Sequence, residues 1–241
     1  MSERAYSFDL KPELALSREF LGTEREPVLI VEGVLADPQD LVDYAASEVT
    51  FAPAWSASGG YPGVRAPAPL NYVNQLVRRL DPLMRQAFEL GPVKLARAEC
   101  SLSMVTLPPS QLTPLQRIPH VDTVDPHQFA VLHYLCGPEH GGTAFYRHRA
   151  SGFETLTRDR QASYDELRKA EAAIETGQPD YIRGDNQHFV QIAALQSLFD
   201  RVIVYRSRTF HSGQIGRDAA LSDDPRRGRL TANIFVNYRP A

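Results

Sequence analysis

The sequence predicts an α+β fold that is mainly β, a helix-backed β-sandwich or barrel. Helical spacing of apolar residues dominates the first third of the chain, whereas short strand-like runs separated by turn residues dominate after residue 92. With 241 residues, 43% of them hydrophobic and 23% charged, the chain can bury one sizeable core. We therefore expect a single domain over residues 1–241, with a strand and supporting helices in 1–92 and the β core in 93–239.

The chain is predicted to begin with a strand and a helix. Residues 27–32 (PVLIVE) form a short apolar run typical of a strand, and Asp37-Pro38 then opens a helical pattern. Residues 52–69 are rich in Pro, Gly, Ala and Ser and are interpreted as an ordered loop. Apolar positions over residues 70–90 again repeat at helical spacing, and Pro82 is interpreted as a break between two helices.

The β core is predicted to start at Val93. Residues from Val93 to Val105 alternate between apolar and polar, so we expect a strand whose apolar face packs on the helices. Further strands are predicted over residues 128–136, 143–147, 201–205 and 230–238.

Two insertions are expected to interrupt this core. The first, residues 149–190, is predicted to contain one helix at about residues 164–176, with a capping box beginning at Ser163 and a C-terminal cap at Gly177. The second, residues 216–228, carries charges of both signs around one proline and is interpreted as a solvated loop.

Composition and charge argue against several classes of partner. The net charge is −3 and the arginines are scattered, so no nucleic-acid partner is expected. No segment has the length of a membrane span, and the N-terminal residues lack the pattern of a signal peptide, so we expect a cytoplasmic protein with no membrane partner. Cys100 and Cys136 lie in strand-like runs, where buried free thiols are the usual state; a disulfide is the alternative but is not needed.

A candidate metal site is centred on His120 and Asp122. Residues two apart in an extended segment share a face, so both side chains can reach one ion if another strand supplies a third ligand. His211 is the candidate, because it follows an apolar strand and a short polar connection that can turn the chain back. Two histidines and one carboxylate leave three coordination positions open, as in non-haem iron(II) oxygenases. The remaining histidines are the rivals: His127, His133, His140, His148 and His188.

A candidate anion-binding residue lies at the start of the last predicted strand. Arg229 and Thr231 share its polar face, and the opposite face is apolar. On an ordinary sandwich the polar face would meet water. On a cavity-lining strand, Arg229 would clamp a carboxylate through its planar fork, and Thr231 could add a hydroxyl. Among the rival histidines, His133 lies within a strand and is expected to be a hydrogen-bonded core residue.

The order of these features resembles the iron(II)- and 2-oxoglutarate-dependent dioxygenase superfamily, particularly its prolyl-hydroxylase-like branch. The signature of that family is His-x-Asp, a distant His, and an Arg or Lys on the following strand. The resemblance covers about residues 93–239 and rests on five segments: His120-Val121-Asp122, His133-Tyr134-Leu135-Cys136, Gly141-Gly142-Thr143-Ala144-Phe145-Tyr146, Tyr205-Arg206-Ser207 with Phe210-His211, and Gly228-Arg229-Leu230-Thr231.

The resemblance implies a double-stranded β-helix, or jelly roll, with supporting N-terminal helices and a helical insertion. It implies that His120, Asp122 and His211 bind iron(II) and that Arg229 holds the distal carboxylate of 2-oxoglutarate. The implied activity is hydroxylation with release of succinate and carbon dioxide, and ascorbate is an optional further cofactor. No catalytic side chain beyond the metal ligands is required.

Two further residues are implied as helpers of the distal carboxylate. Tyr134 occupies the place of a tyrosine that often assists it, with a core aromatic as the alternative reading, and Thr231 is the weaker candidate. The gap from His211 to Arg229 exceeds the usual family spacing, so residues 216–228 must be looped out; otherwise Arg217 is the rival anchor. Arg229 is preferred because a strand holds a clamp more rigidly than a loop does.

Substrate identity is bounded only loosely. The insertion at residues 149–190 is interpreted as a lid or an oligomer contact, such as that of a homodimer, and Tyr61 and Arg65 could line a pocket for a polar molecule. A small molecule or free amino acid is expected first and a peptide second. The alternative class is a cupin-like metal-binding protein or a degenerate relative that binds a ligand without oxidising it.

Overall fold

The computed structural model describes residues 5–173 and 179–241. The helices are α1 (Pro38–Ser47), α2 (Leu70–Ala87) and α3 (Arg158–Ala172). The strands are β1 (Ala15–Leu21), β2 (Glu26–Glu32), β3 (Ala52–Ser56), β4 (Gly59–Pro67), β5 (Val93–Val105), β6 (Gln128–Tyr134), β7 (Gly142–His148), β8 (Phe189–Gln196), β9 (Arg201–Arg206), β10 (His211–Gln214) and β11 (Leu230–Pro240). The described chain is mainly β, and the strands predicted for the β core are confirmed to within two residues at each end.

The strands form two antiparallel sheets that face each other. The larger sheet has the order β1-β2-β9-β6-β11-β5-β4-β3, and the smaller has the order β10-β7-β8. Leu132 of β6 and Tyr205 of β9 pack in one apolar cluster with Phe145 of β7 and Leu195 of β8, which joins the inner faces of the sheets. The result is a jelly-roll-like sandwich with few helices.

Helices α1 and α2 cover the outer face of the larger sheet. Asp37 caps α1 by accepting a hydrogen bond from the Gln39 amide at 3.1 Å, as its position predicts. Leu76 of α2 packs in the same core cluster as Leu102 and Met104 of β5. The prediction that the apolar face of this strand packs on the helices is therefore confirmed. None of the helices in the described ranges is long and apolar enough to cross a membrane.

Helix α2 runs without a break through Pro82, so the predicted division into two helices is wrong. Pro82 lies on the solvent side of the helix, while Leu80 and Met84 on either side are fully buried. Their core contacts offset the cost of one missing helix hydrogen bond.

The segment interpreted as an ordered loop, residues 52–69, is instead the hairpin β3–β4, so that interpretation is wrong. β3 is the outermost strand, where a proline such as Pro53 need not supply a ladder hydrogen bond. Gly59 and Gly60 follow the turn with φ values of 121° and 104°, which glycine adopts without strain. Turn-forming residues here serve an edge hairpin.

The insertion after β7 differs from its prediction in two ways: its helix begins earlier, and an unpredicted strand begins near its end. α3 begins after Thr157, and the Ser163 hydroxyl donates to the Arg160 carbonyl inside the helix, so Ser163 is not a cap. The end of the predicted helix, with the cap at Gly177, lies outside the described residues. β8, which begins at Phe189 and pairs with β7, was not predicted. The predicted free thiols are confirmed, with Cys136 buried and Cys100 half-buried.

Candidate metal and anion site

The segment that precedes β6 is fastened to β10 by backbone hydrogen bonds. His120 and His211 form an antiparallel bridge in which each amide donates to the carbonyl of the other at 2.9 Å. The Asp122 amide donates to the Ser207 carbonyl at 2.8 Å. These bonds hold the three predicted metal ligands on neighbouring extended segments.

The side chains of His120, Asp122 and His211 converge on one point. Their ligand atoms all lie within 4.8 Å of one another. Carboxylate oxygens of Asp122 lie 3.9 Å from His120 Nε2 and 3.8 Å from His211 Nε2, and the imidazole centroids are 4.5 Å apart. Two nitrogen donors and one carboxylate are thereby placed where they could bind one face of a metal ion.

Both imidazoles present a ring nitrogen that suits metal binding. His211 Nδ1 lies 2.9 Å from the Thr209 carbonyl, so Nδ1 carries a hydrogen and Nε2 is the nitrogen left for a metal. The pKa of His120 is lowered to about 4, first by burial and then by the repulsion that arises when His120 and His211 are both protonated, while Asp122 opposes the shift. His120 lines the concave wall of the cavity, and 54% of its side chain is exposed. A pKa lowered in this way favours the uncharged imidazole, which is the form that binds a metal.

The rival histidines do not join this group. His133 is fully buried between Tyr72, whose hydroxyl lies 2.8 Å from Nδ1, and Asp200, whose carboxylate lies 3.0 Å from Nε2. The prediction of a hydrogen-bonded core histidine is confirmed. His148 contacts Glu171 of α3 at 3.0 Å. The other rivals also lie outside the converging group of the described residues: His127, His140 and His188.

Arg229 lies immediately before β11 and is only 5% exposed. One Nη donates to the Gly142 carbonyl at 2.8 Å, but the buried Nε has no hydrogen-bond partner, and no acidic side chain of the described residues pairs with the guanidinium. Burial lowers the pKa of Arg229, but the nearby hydroxyls of Tyr61 and Tyr134 raise it. The net effect is a raised pKa, so the guanidinium stays charged. An unpaired buried charge is costly, which suits this position to an anionic ligand.

Tyr134 and Thr231 lie behind the wall that carries Arg229. The ring centroid of Tyr134 is 5.7 Å from the guanidinium carbon, and its hydroxyl lies 2.6 Å from Thr143 Oγ1. The Thr231 hydroxyl points to the Ser103 carbonyl at 3.4 Å. Both predicted helpers therefore support the wall, and Thr143 is the neighbour that faces the cavity.

Tyr61 is a site residue that the sequence analysis did not assign to the anion. It lies on β4, and its buried hydroxyl has no hydrogen-bond partner among the described residues. Burial raises the pKa of Tyr61, although the positive charges of Arg229 and Arg65 act in the opposite direction. The spacing of Tyr61, Gly63 and Arg65 could have identified it, because these residues lie on one face if the segment is a strand.

One cavity of about 970 Å³ contains this whole arrangement. Its walls include the three converging ligands, Arg229 from the larger sheet and Tyr164 from α3. This volume suits a small molecule or a cosubstrate and substrate together.

The rival anchor Arg217 lies elsewhere. It is exposed, within the irregular segment at residues 216–228, and it does not belong to the cavity lining. Arg226 of the same segment pairs with Asp43 of α1 at 3.0 Å, and this ion pair holds the segment against α1.

Comparison with solved structures gives distant likenesses. SnoN, a non-heme alpha-ketoglutarate-dependent epimerase from nogalamycin biosynthesis, is 16% identical over 90% of this chain and 82% of its own, with a TM-score of 0.45. HygX from Streptomyces hygroscopicus, with nickel, 2-oxoglutarate and hygromycin B bound, is 13% identical over 89% and 83%, with a TM-score of 0.43. An N-substituted L-amino acid dioxygenase from Burkholderia ambifaria is 12% identical over 93% and 94%, with a TM-score of 0.40. At these TM-scores, nothing about the chemistry of this chain follows from the likeness.

Sequence comparison identifies the family but not an activity. No curated protein matches the chain. The pattern of a family of unknown function, DUF6445, matches residues 12–236, and the chain therefore belongs to that family.

Proposed function

We propose that this protein is an iron(II)- and 2-oxoglutarate-dependent oxygenase that hydroxylates a small molecule or an amino-acid side chain. One observation carries the proposal: a single cavity holds two histidines and a carboxylate that converge, together with an arginine buried without an acidic partner among the described residues. The first feature suits an open metal site, and the second suits a dianionic cosubstrate.

The donor set fits iron(II). His120, Asp122 and His211 offer two imidazole nitrogens and one carboxylate, and the open cavity leaves the other coordination positions to ligands. The hydrogen bond from His211 to Thr209 would orient the ring, as the outer contacts of metal-bound histidines commonly do.

The anion pocket fits the distal carboxylate of 2-oxoglutarate. A carboxylate would accept a hydrogen bond from Arg229 and one from Tyr61, both of which have buried polar atoms without partners in the described chain. Tyr134 and Thr231 would stiffen the pocket from behind.

The protein residues would bind, orient and exclude water. Arg229 would fix one end of the cosubstrate, while the apolar walls at Ile118 and Ile215 would limit water near the metal. When bound, iron(II) and 2-oxoglutarate would activate dioxygen: one oxygen atom would enter the succinate formed with carbon dioxide from 2-oxoglutarate, and the other would become the hydroxyl group of the product.

We also infer that the two sheets form a double-stranded β-helix. The bridge between His120 and His211 extends the smaller sheet beyond β10, so four extended segments would face β5, β11, β6 and β9. In this arrangement the metal ligands belong to the smaller sheet and Arg229 to the larger one.

The proposal is tested by adding iron(II) and 2-oxoglutarate to the purified protein under nitrogen. We expect a visible metal-to-ligand charge-transfer band, and slow release of succinate once air is admitted. Asp122→Ala should lose both, because it removes the anionic ligand. Asp125→Ala, a change in the exposed loop three residues further on, should keep them.

Failure of the wild-type protein to give the band and succinate would reject the oxygenase proposal. Metal binding without the band would favour a cupin-like protein, and 2-oxoglutarate binding without succinate would favour a non-catalytic relative.

A further inference from the structure

The cavity wall carries a second positively charged side chain, that of Arg65, which the proposed function does not use. Among the described residues, six with charged side chains line the cavity, apart from the histidines: Arg65, Asp122, Asp165, Arg168, Lys169 and Arg229. Arg168 pairs with Glu171 and Lys169 pairs with Glu166. Within the described chain this leaves Arg65 and Arg229 as the lining cations without an acidic partner.

Arg65 is held in place without being neutralised. Tyr61 and Arg65 are four residues apart on β4, so both face inward, and the guanidinium carbon lies 4.5 Å from the centroid of the Tyr61 ring. Stacking on the ring fixes the plane of the guanidinium and leaves its edges free to donate. Its Nε is buried and has no hydrogen-bond partner among the described residues.

The two arginines are placed for two different groups. Arg65 pairs with Ser103 on β5, and Ser103 pairs with Thr231 on β11, so the backbones of β4 and β11 lie roughly 10 Å apart. Tyr61 lies between the two arginines, with its ring under Arg65 and its hydroxyl near Arg229. The two guanidinium groups come from different strands and meet different parts of Tyr61, so a carboxylate held by Arg229 need not occupy the fork of Arg65.

We infer that Arg65 binds a carboxylate of the primary substrate, which is therefore a small carboxylic acid with an apolar body. The inference rests on the proposed function, in which Arg229 is taken by 2-oxoglutarate. The apolar part of the substrate would contact the cavity walls at Val105, Leu115 and Phe235. A planar guanidinium fork matches a carboxylate through two parallel hydrogen bonds.

Benzoate and benzamide, which have the same shape and differ in charge, provide the test. Each is titrated calorimetrically into protein saturated with iron(II) and 2-oxoglutarate under nitrogen. We expect saturable binding of benzoate and a much weaker response to benzamide. Arg65→Gln should weaken benzoate binding about tenfold or more, as expected for lost hydrogen bonds to a charged group, and should leave 2-oxoglutarate affinity unchanged.

Two control variants separate the carboxylate site from a structural effect. Arg65→Lys keeps the charge without the fork and should lose less affinity than Arg65→Gln. Arg97→Gln removes an exposed arginine of the same sheet, outside the lining of this cavity, and should behave as wild type. Thermal unfolding of each variant identifies any that fails to fold.

The inference is overturned if wild-type protein does not bind benzoate saturably, or if Arg65→Gln binds it as well as wild type does. It is also overturned if Arg65→Gln loses affinity for 2-oxoglutarate instead, because Arg65 would then serve the cosubstrate. If no charge-transfer band forms, the proposed function fails separately, and titration of Arg229→Met with benzoate still tests Arg65 by itself.

Discussion

Arg229 joins the two sheets and places a positive charge in the wall of the cavity. It directly precedes β11 of the larger sheet, yet it donates a hydrogen bond to the Gly142 carbonyl of the smaller sheet at 2.8 Å. That single bond leaves most of its donors free, including the buried Nε. Lysine at this position would keep the charge but lose the planar fork.

Replacement of Arg229 by methionine should weaken 2-oxoglutarate binding by about 2 to 5 kcal/mol, because a charged partner is removed from a buried pair. Titration of the charge-transfer band measures the affinity, and iron binding should persist. Arg217→Ala should have no effect, since that residue is exposed. The reverse pattern would identify Arg217 as the anchor.

The site residues differ in how far the sequence could predict them. His120, Asp122 and Arg229 could be predicted because their order along the chain matches the signature of the family that the sequence resembles; strand alternation alone does not single them out. Tyr61 and Arg65 do not, because the glycines and prolines around them suggest a loop, and strand alternation has meaning only once the hairpin is known.

Strand β6 lines the cavity with one face and packs against the helices with the other. On its outer face, His133 links the Tyr72 hydroxyl of α2 to the Asp200 carboxylate, which also accepts from the Leu35 amide at 3.0 Å. All of these groups are buried. A polar network of this kind fixes how α2 and the connection before β9 sit on the sheet.

His133→Phe should lower the free energy of unfolding by about 2 to 4 kcal/mol, because it leaves the Tyr72 hydroxyl and an Asp200 oxygen buried with fewer partners. Urea unfolding with an unchanged m-value measures the loss. His127→Phe changes a half-buried histidine in the turn before β6; it is the control and should change stability by less than about 0.5 kcal/mol. Equal effects of the two changes would contradict a role for the network.

At the scale of elements, the sequence predicts those whose local signals agree with their tertiary role. α1 has a cap and an apolar stripe, and β5 has long alternation, so both are predicted well. The hairpin β3–β4 and the continuous α2 are not, because sheet pairing and core burial override the prolines in them. β8 was missed because its alternation is broken by Ala193 and Ala194.

For the whole molecule, the candidate site exists only when three layers are together. The smaller sheet brings His211 to His120, the larger sheet supplies Arg229, and α3 closes a wall with Tyr164. Glu171 fastens α3 by contacting His148 of the smaller sheet at 3.0 Å. Stability of the fold and integrity of the site are therefore linked.

This linkage predicts how the metal-free protein responds to acid. The pKa of His120 is lowered to about 4 in the folded protein, chiefly by burial, whereas an unfolded histidine titrates near about 6.5. As the pH falls between these values, the unfolded chain takes up this proton first, so the free energy of unfolding decreases. Above about pH 6.5 the effect is absent.

His120→Gln removes this titration, so its stability should fall less steeply than that of wild type between about pH 6.5 and about pH 4. Urea unfolding of both proteins across this window, without metal, measures the two slopes. A further series at about pH 8, where a histidine is uncharged in either state, gives the reference difference between the two proteins. Parallel profiles over the whole range would show that His120 is as well hydrated in the folded protein as in the unfolded chain. Burial in the cavity wall would then not be what keeps this ligand uncharged.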